Sequence, residues 1–128
     1  MKGKMLIYRA AGSLADPPEI RAIHAVDDWS NAEANMDALR RIVEDDLEVV
    51  PLFDTIMSND RAMPCVAFCG EHSKFNRHPP NRRATLLWRS AIAAHDDMPP
   101  QMREYVARDV LVGTVVILTG DPEFMGLL

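Results

Sequence analysis

The sequence V-L-V-G-T-V-V-I-L-T, residues 110–119, predicts the strand that closes the fold. Its apolar, largely β-branched side chains favour extended backbone. Gly113 marks either a bulge in this strand or the turn that enters it. A second apolar run, Cys65–Cys69, predicts a buried strand earlier in the chain. These two strands are the centre from which the rest of the fold is predicted.

Further strands are indicated on the N-terminal side of this pair. Lys4–Ala10 is predicted to be a short first strand and Glu19–Val26 alternates between two faces; a loop rich in proline and small polar residues separates them, so they are predicted to pair as a hairpin. Leu47–Phe53 predicts a strand that either lies at the edge of a sheet or ends at Pro51, because proline cannot donate to a strand ladder.

Three helices are predicted between and after these strands. One runs from the capping box Ser30–Glu33 to about Val43, a second covers Ala84–Ala94, and a third runs from Gln101 to about Arg108. This order predicts one α+β domain over residues 1–128, with a mixed or antiparallel sheet and helices packed mainly on one face. The predicted core residues are Leu39, Ile42, Val49, Val66, Phe68, Val116 and Ile117.

Composition limits the class of protein. The chain has 128 residues, 48% of them apolar, and a formal net charge of −5. This acidic balance argues against bulk nucleic-acid binding, which needs a strongly positive face. No stretch approaches the ~18 apolar residues of a membrane span, and Arg9 interrupts the N-terminal apolar stretch too early for a secretion signal. We therefore expect an intracellular protein with reduced cysteines and no membrane partner.

A basic segment, Arg77–Thr85, stands out against this acidic background. Between Glu71 and Ser90 one acid and five bases give a local net charge of about +4, which leaves about −9 for the rest of the chain. Pro79 and Pro80 stiffen the segment, so little conformational entropy is lost when it binds. The predicted ligand-binding residues are Glu71, Arg77, Asn81, Arg82 and Arg83.

Two interpretations of this segment remain open. Asn81 is a plausible N-cap of the following helix, and Arg82 and Arg83 then fall in a first helical turn, where the helix dipole disfavours cations. An anion that docks there would explain their position. Alternatively, the arginines are solvated side chains that face the acidic stretch Glu44–Asp46.

Metal binding and nucleophilic catalysis are both disfavoured. Cys65, Cys69, His72 and His78 have zinc-ligand chemistry, but residues four apart on a strand lie about 13 Å from each other and cannot share one ion. Cys69 with Glu71 and His72 resembles an activated thiol, yet nothing in the sequence sets the required geometry. We predict no metal, no cofactor and no catalytic residue.

The assembled pattern resembles a family of small uncharacterised domains from phages, plasmids and other mobile elements. The likeness covers about Ile20 to Phe124 and is carried by four segments in order. These are Met36–Val43 with the strand Leu47–Leu52, the turn Phe68–Lys74, the segment Pro79–Thr85, and the end Asp109–Asp121. The chain departs from the family at Glu44–Asp46, where a glycine pair is usual, and at Gly70, where asparagine is usual. The resemblance implies a mobile-genome setting, in the cytoplasm of a bacterial host cell, and no particular activity.

The resulting hypothesis is a small non-enzymatic binding protein of a phage or mobile element, with anti-defence activity as one form. Its partner would be a nucleotide-like anion or an acidic patch on a host protein, bound through the basic segment, and self-association into a homo-oligomer is left open. The alternative is a small enzyme that acts on a phosphorylated or glycosidic small molecule at the same segment, with Glu71 or His72 as acid or base.

Overall fold

An antiparallel sheet runs through the residues that the structure, a computed structural model, describes: 2–10, 17–24, 32–126 and 128. In these residues the strands are β1 (Lys2–Tyr8), β2 (Glu19–His24), β3 (Leu47–Val49), β4 (Thr55–Ser58), β5 (Arg61–Gly70) and β6 (Val115–Gly120). The helices are α1 (Ala32–Val43), α2 (Arg82–Ala93), α3 (Pro100–Arg108) and α4 (Pro122–Met125). The strand order is β2-β1-β6-β5-β3, with β4 also beside β5. Every pair is antiparallel, which confirms the α+β class.

The helices cover both faces of this sheet. Val115 and Ile117 of β6 face α2 and α3, in a cluster that includes Trp88. Val116 and Leu118 face the other way, in a cluster with side chains of α1 and α4. The sequence predicts helices mainly on one face, whereas two of the helices in the described part of the chain pack on each face. The four successive apolar residues of β6 explain this, because a strand that is apolar on both faces must be covered on both.

Most of the predicted core is inside the molecule. Leu39, Phe68, Val116 and Ile117 are buried, and Ile42 and Val66 are partly buried. Val49 is the error, since it is 57% exposed. It pairs with Phe68, but it lies on β3 at the edge of the sheet, where solvent reaches one side.

The edge formed by β3 and β4 is interrupted by a bulge at residues 50–54. The N–H of Val50 donates to the carbonyl of Ala67 at 2.9 Å, and the N–H of Cys65 donates to the carbonyl of Asp54 at 2.9 Å. Between these contacts the backbone of Leu52 has a φ of 62°. The indole Nε1 of buried Trp88 donates to the carbonyl of Pro51 at 2.7 Å and fixes the bulge to α2. The predicted strand Leu47–Phe53 therefore stops at Val49, before the proline.

The predicted N-terminal hairpin is confirmed, with β1 and β2 antiparallel and Leu6 opposite Ile20. Ala25, Val26 and the capping residue Ser30 lie outside the described residues. The described helices include none that is both long and apolar enough to cross a membrane.

Candidate functional site

The chain leaves β5 through the 71–77 loop, residues Glu71–Arg77. The N–H of Arg77 donates to the carbonyl of Lys74 at 3.1 Å, and the N–H of His78 donates to that of Ser73 at 3.0 Å. This pair of bonds is the Schellman motif that ends a helical turn. Arg77 occupies its left-handed position, with a φ of 57°. Glycine normally takes this position, and a residue with a side chain costs about 1 kcal/mol there.

The start of the loop is held by Asp45, whose side chain is 8% exposed. Its carboxylate accepts the backbone N–H of His72 at 2.7 Å, the ring Nδ1 of His72 at 3.0 Å and the N–H of Asp46 at 2.7 Å. Burial alone would raise the pKa of Asp45, but these hydrogen bonds outweigh it and lower the pKa below its usual value. The hydrogen bond to Asp45 raises the pKa of His72.

Asp45, Asp46 and His72 are also the described residues whose ligand atoms come closest to a metal-binding arrangement, within 4.8 Å of one another. The carboxylate of Asp45 is already occupied by three hydrogen-bond donors, which a cation would have to displace. The arrangement is therefore explained by its role as the anchor of the loop.

The cysteines are not activated. Burial raises the pKa of Cys65 to about 12 and, with a smaller contribution from Glu48, that of Cys69 to about 11. A nucleophilic cysteine needs the opposite shift. Cys65 is buried and donates its thiol to the carbonyl of Phe53 at 3.5 Å. Neither cysteine joins a histidine in a group of ligand atoms within metal-binding distance among the described residues.

Asn81 is the N-cap of α2, as the sequence predicts. Its side chain accepts the N–H of Ala84 at 3.1 Å and donates to the carbonyls of Tyr8 and Gly113, both at 2.9 Å. It is 1% exposed. Both amide donors are used within the scaffold, so Asn81 fixes the start of α2 and leaves direct contacts with a ligand to its neighbours.

The arginines of the predicted site differ in their surroundings. Arg77 and Arg82 are exposed, and neither has an ion-pair partner among the described residues. Arg83 is partly buried, with its guanidinium carbon 5.9 Å from the centre of the Tyr8 ring. The first turn of α2 contains no acid. Phe75, two residues before Arg77, is 88% exposed. Exposed Phe75 and Arg77 of the loop, together with exposed Arg82 at the start of α2, are called the basic face.

Glu71 belongs to a different surface, a cleft of about 260 Å³ behind the loop. The cleft lies between the edge of the sheet, the loop, α2, α3 and the segment that leads towards β6. Its polar and charged lining consists of Glu48, Cys69, Glu71, Ser73, Lys74, Tyr105 and Asp109. Its apolar lining includes Val50, Trp88 and Leu111. The sequence analysis groups Glu71 with the arginines, and in the structure Glu71 also lines this cleft with Glu48 and Asp109.

Two polar features mark the cleft. Lys74 of the loop forms an ion pair with Asp109 at the end of α3, which links two of the walls. Ser73 is 2% exposed, and its hydroxyl has no hydrogen-bond partner in the described part of the chain. The hydroxyl lies between two glycines, since a Cβ added at Gly70 would come within 2.3 Å of it and one at Gly113 within 3.1 Å. Unpartnered buried hydroxyls are uncommon in folded proteins.

Sequence reasoning missed these features for different reasons. The Lys74–Asp109 pair joins residues 35 positions apart, and no local pattern indicates it. Phe75 did carry a local signal, because it is an aromatic residue within a polar, basic loop.

No family model, no characterised protein and no solved structure matches this chain. The resemblance to phage and plasmid domains therefore stays a prediction.

Proposed function

We propose that this protein is a small non-enzymatic binding protein whose basic face engages an acidic patch on a partner protein. The observation that carries the proposal is that Phe75 is 88% exposed two residues before exposed Arg77, and that Arg77 and Arg82 have no ion-pair partner among the described residues. Aromatic and arginine side chains dominate the energetic centres of protein interfaces. The family resemblance adds a phage or mobile-element setting, with a host protein as partner and anti-defence activity as one form.

Stability does not account for these positions. Arg77 has left-handed backbone that glycine would adopt more easily. Arg82 lies in the first turn of α2, where the helix dipole opposes a cation by roughly 0.3–1 kcal/mol. An acidic partner would offset both costs. The other interpretation of the segment is that solvated arginines face Glu44–Asp46, but Arg82 forms no ion pair with that stretch among the described residues.

A protein partner is favoured over a nucleotide-like anion by the shape of the face. Small-molecule sites are usually concave, whereas Phe75 and Arg77 are exposed residues of a turn and do not line the cleft. The enzyme hypothesis has less support, because Glu71 lines the cleft while His72 is hydrogen-bonded to Asp45 at the start of the loop.

Photo-crosslinking tests this proposal directly. Phe75 is replaced by the photoreactive analogue benzoylphenylalanine, the protein is expressed in a bacterial host, and crosslinked peptides are identified by mass spectrometry. We expect crosslinks to one protein at a segment rich in Asp and Glu. Crosslinking should fall about tenfold or more in the Arg77→Ala, Arg82→Ala variant, since a hydrogen bond to a charged group is worth about 1.5–3 kcal/mol.

The matched control is Arg41→Ala, Arg61→Ala, which removes the same charge from exposed positions outside the loop. It should crosslink like the wild type. Equal crosslinking by both double variants would exclude the basic face as the binding surface. Calorimetric titration with ATP and with a cyclic dinucleotide tests the alternative ligand. If the wild type and the control variant bind either compound and the Arg77→Ala, Arg82→Ala variant does not, the ligand of the basic face is a nucleotide-like anion instead.

A further inference from the structure

The cleft behind the 71–77 loop has the chemistry of a separate ligand site. We propose that it binds a primary alkylammonium group, either of a small diamine or of a lysine side chain in a peptide. This inference is independent of the basic face, because neither Arg77 nor Arg82 lines the cleft. It rests on the charge of the cleft, its buried hydroxyl and its apolar wall.

The charge of the lining selects a cation. Glu48, Glu71 and Asp109 oppose the single amine of Lys74. Asp109 is paired with Lys74, whereas Glu48 and Glu71 have no ion-pair partner among the described residues. Two carboxylates thus remain in the cleft without a positive counterpart.

Cys69 reports the field inside the cleft that it lines. Burial is the main reason that its pKa rises, and Glu48 and Asp109 raise the pKa further, while Lys74 opposes them. The carboxylates therefore outweigh the amine at the sulfur atom, and the same negative potential favours a positively charged ligand.

The hydroxyl of Ser73 supplies a second, independent indication of a ligand. It belongs to a lining residue that is 2% exposed, and none of the described residues forms a hydrogen bond with it. Leaving a buried polar group without a partner is unfavourable. The oxygen itself has almost no accessible surface, and a rotation of the side chain towards the cleft would let it accept a hydrogen bond from an ammonium group, which carries three donors and no acceptor.

The remaining wall suits the alkyl part of such a ligand. Val50, Trp88 and Leu111 contribute apolar surface, and the ring of Tyr105 is 73% exposed. Aromatic rings attract cations. The volume of about 260 Å³ lies just below the range of roughly 300–1,000 Å³ common for small-molecule sites. It therefore suits a short amine rather than a nucleotide.

Cys69 also provides the readout. Alkylation of Cys69 by iodoacetamide is followed by peptide-resolved mass spectrometry, which separates it from buried Cys65. The probes are 1,4-diaminobutane and a short lysine-containing peptide, with 1,4-butanediol and inorganic phosphate as controls, each up to about 10 mM. We expect one or both amines to slow the alkylation of Cys69 severalfold. Protection by the diamine alone would indicate a free diamine as the ligand, and protection by the peptide alone would indicate a lysine side chain. The diol and phosphate should have no effect.

Variants test the residues involved. Glu48→Gln, Glu71→Gln should weaken amine protection about tenfold or more, and Ser73→Ala should weaken it severalfold while the fold is retained. Glu44→Gln, Asp60→Asn removes the same charge from exposed positions that do not line the cleft, and should protect like the wild type. Three results would overturn the proposal. These are that neither amine slows the alkylation of Cys69, that the diol or phosphate slows it equally, or that the amines protect Cys69 in the Glu48→Gln, Glu71→Gln double variant as well as in the wild type.

Discussion

The two ends of β5 differ in how well their residues suit the backbone conformation that they adopt. At its N-terminal end, a two-residue turn of Asn59 and Asp60 joins β4 to β5, with φ values of 50° and 60°. Asparagine and aspartate tolerate this left-handed backbone better than most residues. At its C-terminal end, the 71–77 loop places Arg77 in left-handed backbone and exposes Phe75.

This difference indicates where the chain departs from stability rules. The Asn59–Asp60 turn needs no explanation beyond local conformational preference. The 71–77 loop combines an unfavourable backbone position, an exposed aromatic ring and a buried hydroxyl without a partner. Departures of this kind concentrate at functional sites in real proteins. The comparison therefore favours the C-terminal end of β5 as the working end of the molecule.

The largest expected effect comes from removing the support behind this end. Asn81→Ala deletes three side-chain hydrogen bonds, which removes a donor from the carbonyls of Tyr8 and Gly113 and the cap from the N–H of Ala84. We expect a loss of roughly 3–5 kcal/mol in the free energy of unfolding, measured by urea denaturation. Asn76→Ala, the same change at an exposed position of the loop, should cost less than ~0.5 kcal/mol. A loss below about 1 kcal/mol for Asn81→Ala would contradict the capping role.

Substitution by glycine tests the comparison between the two turns. Arg77→Gly should raise the free energy of unfolding by about 1 kcal/mol, because glycine adopts the left-handed position without strain. Asp60→Gly should gain less, since aspartate already tolerates its conformation. Arg77→Ala should leave stability nearly unchanged, because alanine has the same strain as arginine. If Arg77→Gly were destabilising, the side chain of Arg77 would have to contribute to the fold.

The His72–Asp45 contact gives a smaller effect that depends on pH. The raised pKa of His72 adds stability that is fully present below its ordinary pKa of 6.5 and is lost as pH rises through the folded-state pKa. The lowered pKa of Asp45 adds stability that is present above 3.8 and is lost as pH falls through the folded-state pKa. The pair therefore stabilises the loop most between these two values.

Urea denaturation of wild type and His72→Gln at several pH values measures this contribution. The wild type should lose stability relative to His72→Gln as pH rises from about 6 to about 9. If the free energies of unfolding of the two proteins changed in parallel with pH, the His72–Asp45 contact would not stabilise the fold.

The smallest effect on stability is expected at Phe75. Its ring is 88% exposed, so Phe75→Ser should change the free energy of unfolding by less than ~0.5 kcal/mol. Phe53→Ser, the same change at a position that is 2% exposed, should destabilise the protein strongly. A large loss for Phe75→Ser would mean that the ring packs within the fold and is not available to a partner.

Local chemistry explains what the sequence could predict of the fold. The β1–β2 hairpin follows from the alternation of Glu19–Val26 and the loop that precedes it, and the strand β6 follows from an apolar run. The two-sided covering of the sheet was also readable, in the unbroken run Val115–Leu118, but it was not inferred. The exposure of Val49 was not readable, because the position of β3 at an edge depends on which strands pair.

The candidate site likewise contains one feature that the sequence could predict and one that it could not. The role of Asn81 as a cap was predictable, because a cap depends on residues within one helical turn. The cleft was not, because its walls come from segments between Glu48 and Val112 that meet only in the folded chain. Glu71 was therefore associated with its sequence neighbours Arg77 and Arg82 rather than with Glu48 and Asp109.

The bulge at residues 50–54 has a consequence for behaviour at high concentration. An uninterrupted edge strand offers a row of free backbone donors and acceptors to which another chain can add. Here the bulge divides the edge into three-residue β3 and four-residue β4, with Pro51 between them. A second molecule that approached this edge would find only short ladders to extend, although Val49 and Met57 offer it exposed apolar side chains. The bulge that Trp88 fixes to α2 thus also hinders aggregation through this edge.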